Sequence, residues 1–137
     1  MADSIRRAEY FYAIVEDRPG EGRKLLEFCS AHSVNLLNFT AFPFGERLAK
    51  LVFVPEDAAA LRQAADEADV ALIGPRPAFL IQGDERLGIL VEYHLRLADA
   101  GINVHAANGS SDGRGGFGYI LWVKGDDYEK AAKALGI

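Results

Sequence analysis

The sequence predicts an α+β fold made of two tandem βαββαβ modules. Three observations predict it. First, Asp17-Arg18-Pro19-Gly20 opens a segment reaching Val34-Asn35-Leu36, and Glu85-Arg86-Leu87-Gly88 opens one reaching Ile102-Asn103-Val104. The spacing between equivalent residues is 68 in each case (Arg18 to Arg86, Gly20 to Gly88, Asn35 to Asn103). Second, apolar residues alternate at strand spacing and then recur at helical spacing, in the same order in both halves. Third, the 137 residues suit one domain or two small ones, and half of them are hydrophobic, enough to build a packed core.

Glu9 to Glu16 is rich in aromatic and β-branched residues and stops at Asp17-Pro19-Gly20, which reads as a strand and a turn. Leu25, Phe28, Cys29 and His32 mark one side of a helix from Glu21 to His32. Ser33 to Phe44 and Leu48 to Val54 read as strands around a hairpin tip at Gly45-Glu46. Asp57 is placed to cap a helix running to about Glu67. Val70 to Ile73 reads as a short fourth strand, and Gly74-Pro75-Arg76-Pro77 as an extended linker. The boundaries expected are thus 1–74 for the first module, 75–77 for the linker and 78–137 for the second module.

The pattern then restarts. Ala78 to Gln82 reads as a strand, Glu85 to Ala100 as a helix closed by Gly101, and Ile102 to Ala107 as a strand. Asn108 to Gly116 is expected to be a glycine- and serine-rich hairpin loop, longer than its counterpart in the first half. Phe117 to Val123 is the return strand, and Asp126-Asp127 starts a last helix to about Leu135. The second module therefore lacks a last strand of its own, which leaves an edge either open or covered by another strand or chain.

This arrangement resembles the ACT domain, a small ligand-binding regulatory module that is often paired. The residues that carry the resemblance are Asp17-Arg18-Pro19-Gly20 with the following helix and Val34-Asn35-Leu36, then Asp84-Glu85-Arg86-Leu87-Gly88 with Gly101-Ile102-Asn103-Val104. It covers nearly the whole chain, from about Glu9 to Leu135. The resemblance implies tandem ferredoxin-like modules, each an antiparallel sheet with helices on one face. It also implies a noncatalytic, stand-alone sensor of a small metabolite, most plausibly an amino acid, with the ligand at a module or dimer interface. The ligand residues it implies are Asp17, Arg18, Pro19, Gly20, Asn35, Asp84, Gly88 and Asn103. Glycine at such a bend leaves no side chain between backbone and ligand, and the next helix offers free N–H groups to a carboxylate. Asp17 or Asp84 would face an ammonium group, and each asparagine can donate and accept. The first half, nearer the family motif, is the expected site. In the second, Leu87 replaces proline and Glu85 would repel an acidic ligand. A homodimer is expected, with a regulated enzyme or transporter acting in trans.

A second signal points elsewhere. Gly115-Gly116-Phe117-Gly118-Tyr119-Ile120-Leu121-Trp122 resembles the octamer of RNA-recognition domains, in which Phe117 and Tyr119 would share a face and stack bases. Against that reading, the net charge is −5, which opposes binding to phosphate backbones and anionic membranes alike. A protein-interaction module without a ligand is the third reading. No enzyme is expected. His32, His94 and His105 fall in no metal-spaced motif, and Cys29 is the only cysteine, so no cofactor or metal is called for. The N-terminus lacks the apolar core of a signal peptide, and no apolar stretch approaches the roughly 20 residues that span a bilayer. Cytoplasmic localisation is therefore the expectation.

Overall fold

The first strand, β1, runs from Ser4 to Glu16, starting five residues before the aromatic run that marks it in the sequence. This is a computed structural model that describes residues 3–137. Met1 and Ala2, assigned from sequence to the first module, lie outside the described residues. After β1 come α1 (Glu21–Ala31), β2 (Leu36–Pro43), β3 (Leu48–Pro55), α2 (Ala58–Glu67) and β4 (Ile73–Asp84). Then follow α3 (Ile89–Asp99), β5 (Ala106–Ser111), β6 (Gly116–Trp122), a 3-10 turn (Gly125–Asp127) and α4 (Tyr128–Leu135). The described residues divide into two units, one of Glu9–Arg76 and the other of residues 3–8 with Pro77–Ile137.

In the first unit β3 lies between β2 and β1 and pairs antiparallel with both, Phe53 opposing Phe11 on one side and Phe39 on the other. Period-two alternation sends Phe11, Ala13, Leu51 and Phe53 to the helix-covered face, where they meet Cys29 from α1 and Leu61 and Ala65 from α2. Asp57 caps α2 as its sequence position predicts, its carboxylate accepting the Ala60 N–H at 3.1 Å. Burial pushes the Cys29 thiol pKa up. The head of β4 completes this unit beside β1. Gly74 sits so close there that a Cβ would lie 2.8 Å from the Tyr10 carbonyl oxygen and from the Phe11 ring.

The second unit repeats the plan. β6 pairs antiparallel with β4 and β5. Phe79, Ile81, Tyr119 and Leu121 face Tyr93 and Leu97 from α3 and Ala131 and Leu135 from α4. Ser4–Ala8 belongs here and supplies the missing strand. Ile5 packs on this core, Arg6 donates to Gln82 at 3.4 Å, and Arg7 forms a two-pronged pair with Glu129 at 2.8 and 2.9 Å. Asp3 anchors the start. Its carboxylate accepts the Tyr93 hydroxyl and both Arg86 guanidinium nitrogens, each at 3.2 Å. A side chain at Gly83 would collide with it.

Three expectations need correction. The stretch read as a linker at 75–77 is the interior of β4. Proline survives in a strand where no ladder bond is asked of its missing N–H, and the β6 ladder begins only at Phe79, past Pro75 and Pro77. Val70 is not in a strand, because β4 starts at Ile73. Lastly, Ile102 to His105 is not a strand, and Asn108–Ser111, expected to be loop, is the far half of β5. The two hairpin tips are in fact equal, four residues at Phe44–Arg47 and four at Asp112–Gly115. Asp112 closes the second by accepting the N–H groups of Arg114 and Gly116 at 2.6 and 3.0 Å, which also holds its carboxyl below the usual range.

The Asp3 cluster generates a prediction with a definite sign. The Tyr93 hydroxyl, more than Arg86, lowers the Asp3 pKa below 3.8, against an opposing burial effect. Its stabilisation is therefore complete above that ordinary value and is lost as pH falls through the depressed folded one. Asp3→Ala should cost about 1–3 kcal/mol near neutrality, because it also strands the Tyr93 hydroxyl. Urea unfolding of the two proteins at neutral pH and at pH 3 should show the gap narrowing in acid. For Tyr93, burial first and then Asp3 push the pKa up to about 12. Its share of stability should hold below pH 10 and fade towards pH 12, as absorbance titration of the phenolate can follow.

Candidate functional site

Both units carry a cleft at the same place, between the start of the first helix and the edge strand. In the first unit it is about 280 Å³, lined by Asp17, Arg18, Glu21 and Gly22 on the helix side and by Ala41, Phe42 and Pro43 on β2, with Ala49 at the floor. In the second it is about 690 Å³. The residues 68 positions on form that wall and floor: Glu85, Arg86, Ile89 and Leu90, then Gly109, Ser110 and Ser111 on β5, with Phe117 below. The repeat spacing read from the sequence thus recurs as a repeated concavity. The backbone bends match as well. Asp17 N–H donates to the Arg47 carbonyl at 2.8 Å, and Glu85 N–H to the Gly115 carbonyl at 2.7 Å. Gly20 (φ 93°) and Gly88 (φ 77°) both take the left-handed conformation at the helix N-cap, with no atom within 4 Å of a built Cβ. An L-residue there would be strained, so glycine is required by the bend itself.

The two clefts differ in what already fills them. Glu21 stands at the helix start of the first, its side chain only 15% exposed. It accepts from Arg18 Nε at 2.6 Å and from Lys24 at 3.5 Å, and Arg18 also pairs with Glu16 at 2.6 Å. The Arg18 hydrogen bond, the largest cause, holds the Glu21 carboxyl below its usual range. The helix N-terminus here thus has its own carboxylate. In the second unit Ile89 takes the place of Glu21, and Arg86 is turned to Asp3, with Glu92 at 3.6 Å. Small side chains widen this cleft, since Gly109, Ser110 and Ser111 replace Ala41, Phe42 and Pro43. Glu85, expected to repel an acidic ligand from the helix start, lies four residues before α3 and accepts the Ser111 hydroxyl at 3.0 Å.

The sequence-predicted residues fall into two groups. Asp17 and Arg18 line the first cleft, Gly20 forms its bend, and Pro19 is exposed beside them. Gly88 lines the second cleft, and Asp84 ends the strand that leads to it. The asparagines are elsewhere. Asn35 precedes Leu36, which pairs with Pro55 at one end of β3, whereas Glu16, next to Asp17, pairs with Leu48 at the other. β3 has eight residues, so these ends lie roughly 20 Å apart. Asn35 instead donates to Glu56 at 2.8 Å and ties β2 to the end of β3. Asn103 is exposed ahead of β5, whose first residue Ala106 pairs with Trp122, again the end away from the cleft. Each asparagine sits at the wrong end of its strand to meet the bend.

Residues that sequence reasoning gave other roles shape the second site. Phe117 and Tyr119, the base-stacking pair of the RNA reading, face the helices: Tyr119 is buried in the core and Phe117 packs against it. The helices cover Tyr119, and Phe117 is only partly exposed, in the second cleft. Tyr119 lies flat against Gly109, where a Cβ would come 2.6 Å from its ring, and its hydroxyl meets His94 Nε2 at 2.6 Å. Burial pushes the Tyr119 phenol pKa up. The signal for this site was present in the repeat: Gly109-Ser110-Ser111 against Ala41-Phe42-Pro43 marks a strand stripped of side chains. Among the described residues, no three His, Cys, Asp or Glu side chains gather closely enough to hold a metal, and no helix is long and apolar enough to cross a membrane.

No protein-family model matches the chain. No curated protein matches it either. Among solved structures, a Bacteroides thetaiotaomicron protein is similar over 96% of this chain and 88% of its own, with a TM-score of 0.81 and 13% identity. The ligand-free regulatory subunit of aspartate kinase from Thermus thermophilus is similar over 97% of this chain and 93% of its own, with a TM-score of 0.64 and 14% identity. A structure of aspartokinase alpha and beta subunits matches over 98% and 95%, with a TM-score of 0.64 and 14% identity. At such identities the likeness shows the fold, which is ACT-like, with βαββαβ units of antiparallel sheet and helix.

The Gly109 contact is directly testable. Gly109→Ala should cost about 1–3 kcal/mol by forcing the Tyr119 ring aside, whereas Ser110→Ala, exposed on the same strand, should stay within about 0.5 kcal/mol of the parent. Denaturant midpoints report both, and loss of the His94–Tyr119 hydrogen bond should appear in the His94 ring resonances.

Proposed function

We propose that this chain is a noncatalytic sensor of a small metabolite, an amino acid, and that the second-unit cleft is where it binds. The observation that carries the reading is the pair of equivalent clefts, one furnished with its own carboxylate by Glu21, the other about 690 Å³ and without one at that position. In the first turn of α3, after the Gly88 bend, Ile89 N–H bonds the Arg86 carbonyl at 3.3 Å and Val91 N–H the Gly88 carbonyl at 3.0 Å, so an α-carboxylate would take the Leu90 N–H and the positive end of the helix dipole. Glu85 and the hydroxyls of Ser110 and Ser111 supply acceptors for an α-ammonium group. The site residues of this proposal are therefore Gly88, Glu85, Ser110, Ser111 and Phe117, a shift from the first-half site that the motif favours. Asp17, Arg18, Pro19 and Gly20 shape its counterpart. Solved structures of this fold include regulatory subunits of aspartate kinase, which supports a regulatory role. We read the partner as an enzyme or transporter acting in trans on a homodimer of this chain, with binding favouring one conformation over another.

A thermal-shift panel of the common amino acids tests this. One or a few should raise the melting temperature, the stabilisation growing with the logarithm of concentration over Kd to about 2.7 kcal/mol at a hundredfold excess. A flat response across the panel at millimolar concentrations would sink the sensor reading.

A further inference from the structure

The cleft also indicates which kind of amino acid it takes. Compared at the repeat spacing, the β5 wall has lost apolar side chains, Ala41-Phe42-Pro43 becoming Gly109-Ser110-Ser111, while the helix side and floor have changed the other way. Pro19 becomes Leu87, Glu21 becomes Ile89, Gly22 becomes Leu90, Arg23 becomes Val91 and Ala49 becomes Phe117. Each of these helix-side and floor changes enlarges the apolar surface or removes a charge. Leu87 and Val91 are exposed side chains, 106% and 68% accessible, beside the concavity. A clustered apolar surface left open to water marks a place where something apolar docks. The charged groups at the rim are already committed. Arg86 is held by the Asp3 carboxylate at 3.2 Å from two nitrogens, and Glu85 by the Ser111 hydroxyl at 3.0 Å. A ligand's acidic side chain would have to displace Asp3 from Arg86, and a basic one would compete with the ligand's own α-ammonium group for Glu85, leaving a charge against an apolar wall.

We propose that the second-unit cleft selects amino acids with a branched or aromatic apolar side chain, which lies between Val91 and Phe117. The inference rests on the sensor reading above and narrows it to a ligand class. The α-carboxylate and α-ammonium groups are common to every candidate, so discrimination falls to the side chain. Each methylene removed from an apolar pocket weakens binding by about tenfold or more. Leucine, isoleucine or phenylalanine should thus outbind alanine by at least about 100-fold, and aspartate and lysine should bind no better than alanine.

Isothermal titration of the full chain with leucine, isoleucine, phenylalanine, alanine, aspartate and lysine decides this, together with two variants. Val91→Arg places a charge on an exposed position, so the unliganded melting temperature should hold while apolar affinity falls about tenfold or more. Phe117→Ala should have the same effect on affinity, with some loss of stability because Phe117 packs on the core. Arg23→Val, at the equivalent point of the first unit, should leave affinity unchanged. If aspartate or lysine binds tightest, the selectivity inference is overturned while the sensor reading stands. If an apolar amino acid binds but Val91→Arg and Phe117→Ala do not weaken it, the ligand sits elsewhere and the inference is again overturned. If nothing in the panel binds, the sensor reading falls and takes this inference with it.

Discussion

The carboxylate of Asp3, shared between the Tyr93 hydroxyl and the Arg86 guanidinium, is the interaction on which the second unit depends. Read in chain order, the second repeat lacks a fourth strand, and an uncovered β4 would present a row of unpaired backbone groups. Ser4–Ala8 fills the vacancy, so residues from the start of the chain finish a unit formed mainly by its end. Such a long-range strand gains nothing from local propensity, and closing the intervening loop costs entropy. It is held by side chains instead: Asp3 on α3 and the turn before it, Ile5 in the core, and Arg7 on Glu129 of α4. Gly83 is the concession that makes room, since any side chain there would strike Asp3.

This anchor also shapes the cleft chemistry. Arg86 is the counterpart of Arg18, and each guanidinium stands at the mouth of its cleft. In the first unit the guanidinium is satisfied locally, by Glu16 and by the Glu21 carboxylate in the helix's first turn. In the second it is drawn away by Asp3, Ile89 stands where Glu21 stood, and the carboxylate of the helix's first turn, Glu92, is paired with Arg86 and Arg96. The same fold thus produces one cleft with a carboxylate held at its helix start by Arg18 and one with an apolar residue at that position. Duplication followed by divergence at a few lining positions accounts for the difference without any change of topology.

Much of the fold was legible in the sequence because it rests on periodicity and on paired turn chemistry. The 68-residue spacing reappears in the strand registers, with Glu16 opposite Leu48 and Asp84 opposite Gly116. It also reappears in the helix exits, where Val34 bonds Cys29 and Ile102 bonds Leu97 at 2.8 and 2.9 Å. What was illegible depends on contacts made far along the chain. Pro75 and Pro77 look like a linker until the β6 ladder is seen to start beyond them. Asn108–Ser111 has loop composition, yet it is a strand, because the Asp112 turn fixes the register and the Tyr119 ring needs a glycine opposite it. Asn35 and Asn103 read as ligands because sequence spacing hides the length of the strand between them and the bends. The aromatic octamer gave the right strand and the wrong face. Pattern alone says that Phe117 and Tyr119 share a side, and only packing says that the helices cover it.

The construction of the second cleft suggests how occupancy would be transmitted. One wall is α3, packed into the core through Ile89, Tyr93 and Leu97. The other is the β5 edge, whose tip is braced by Asp112 and joined to the α3 side by the Ser111–Glu85 side-chain hydrogen bond and by the Glu85 N–H on the Gly115 carbonyl at 2.7 Å. Both walls are stiff, so little ordering entropy remains to be lost on binding. The weak element is the join. A ligand whose ammonium group draws Glu85 from Ser111 would exchange one hydrogen bond for another, at small net cost, and would leave the Glu85 N–H on the Gly115 carbonyl to hold the turn to the hairpin. A sensor needs such a place, where two arrangements differ by little and the ligand prefers one. Because coupling is reciprocal, a partner that gripped the β5 hairpin in the released arrangement would in turn tighten the hold of the cleft on its ligand.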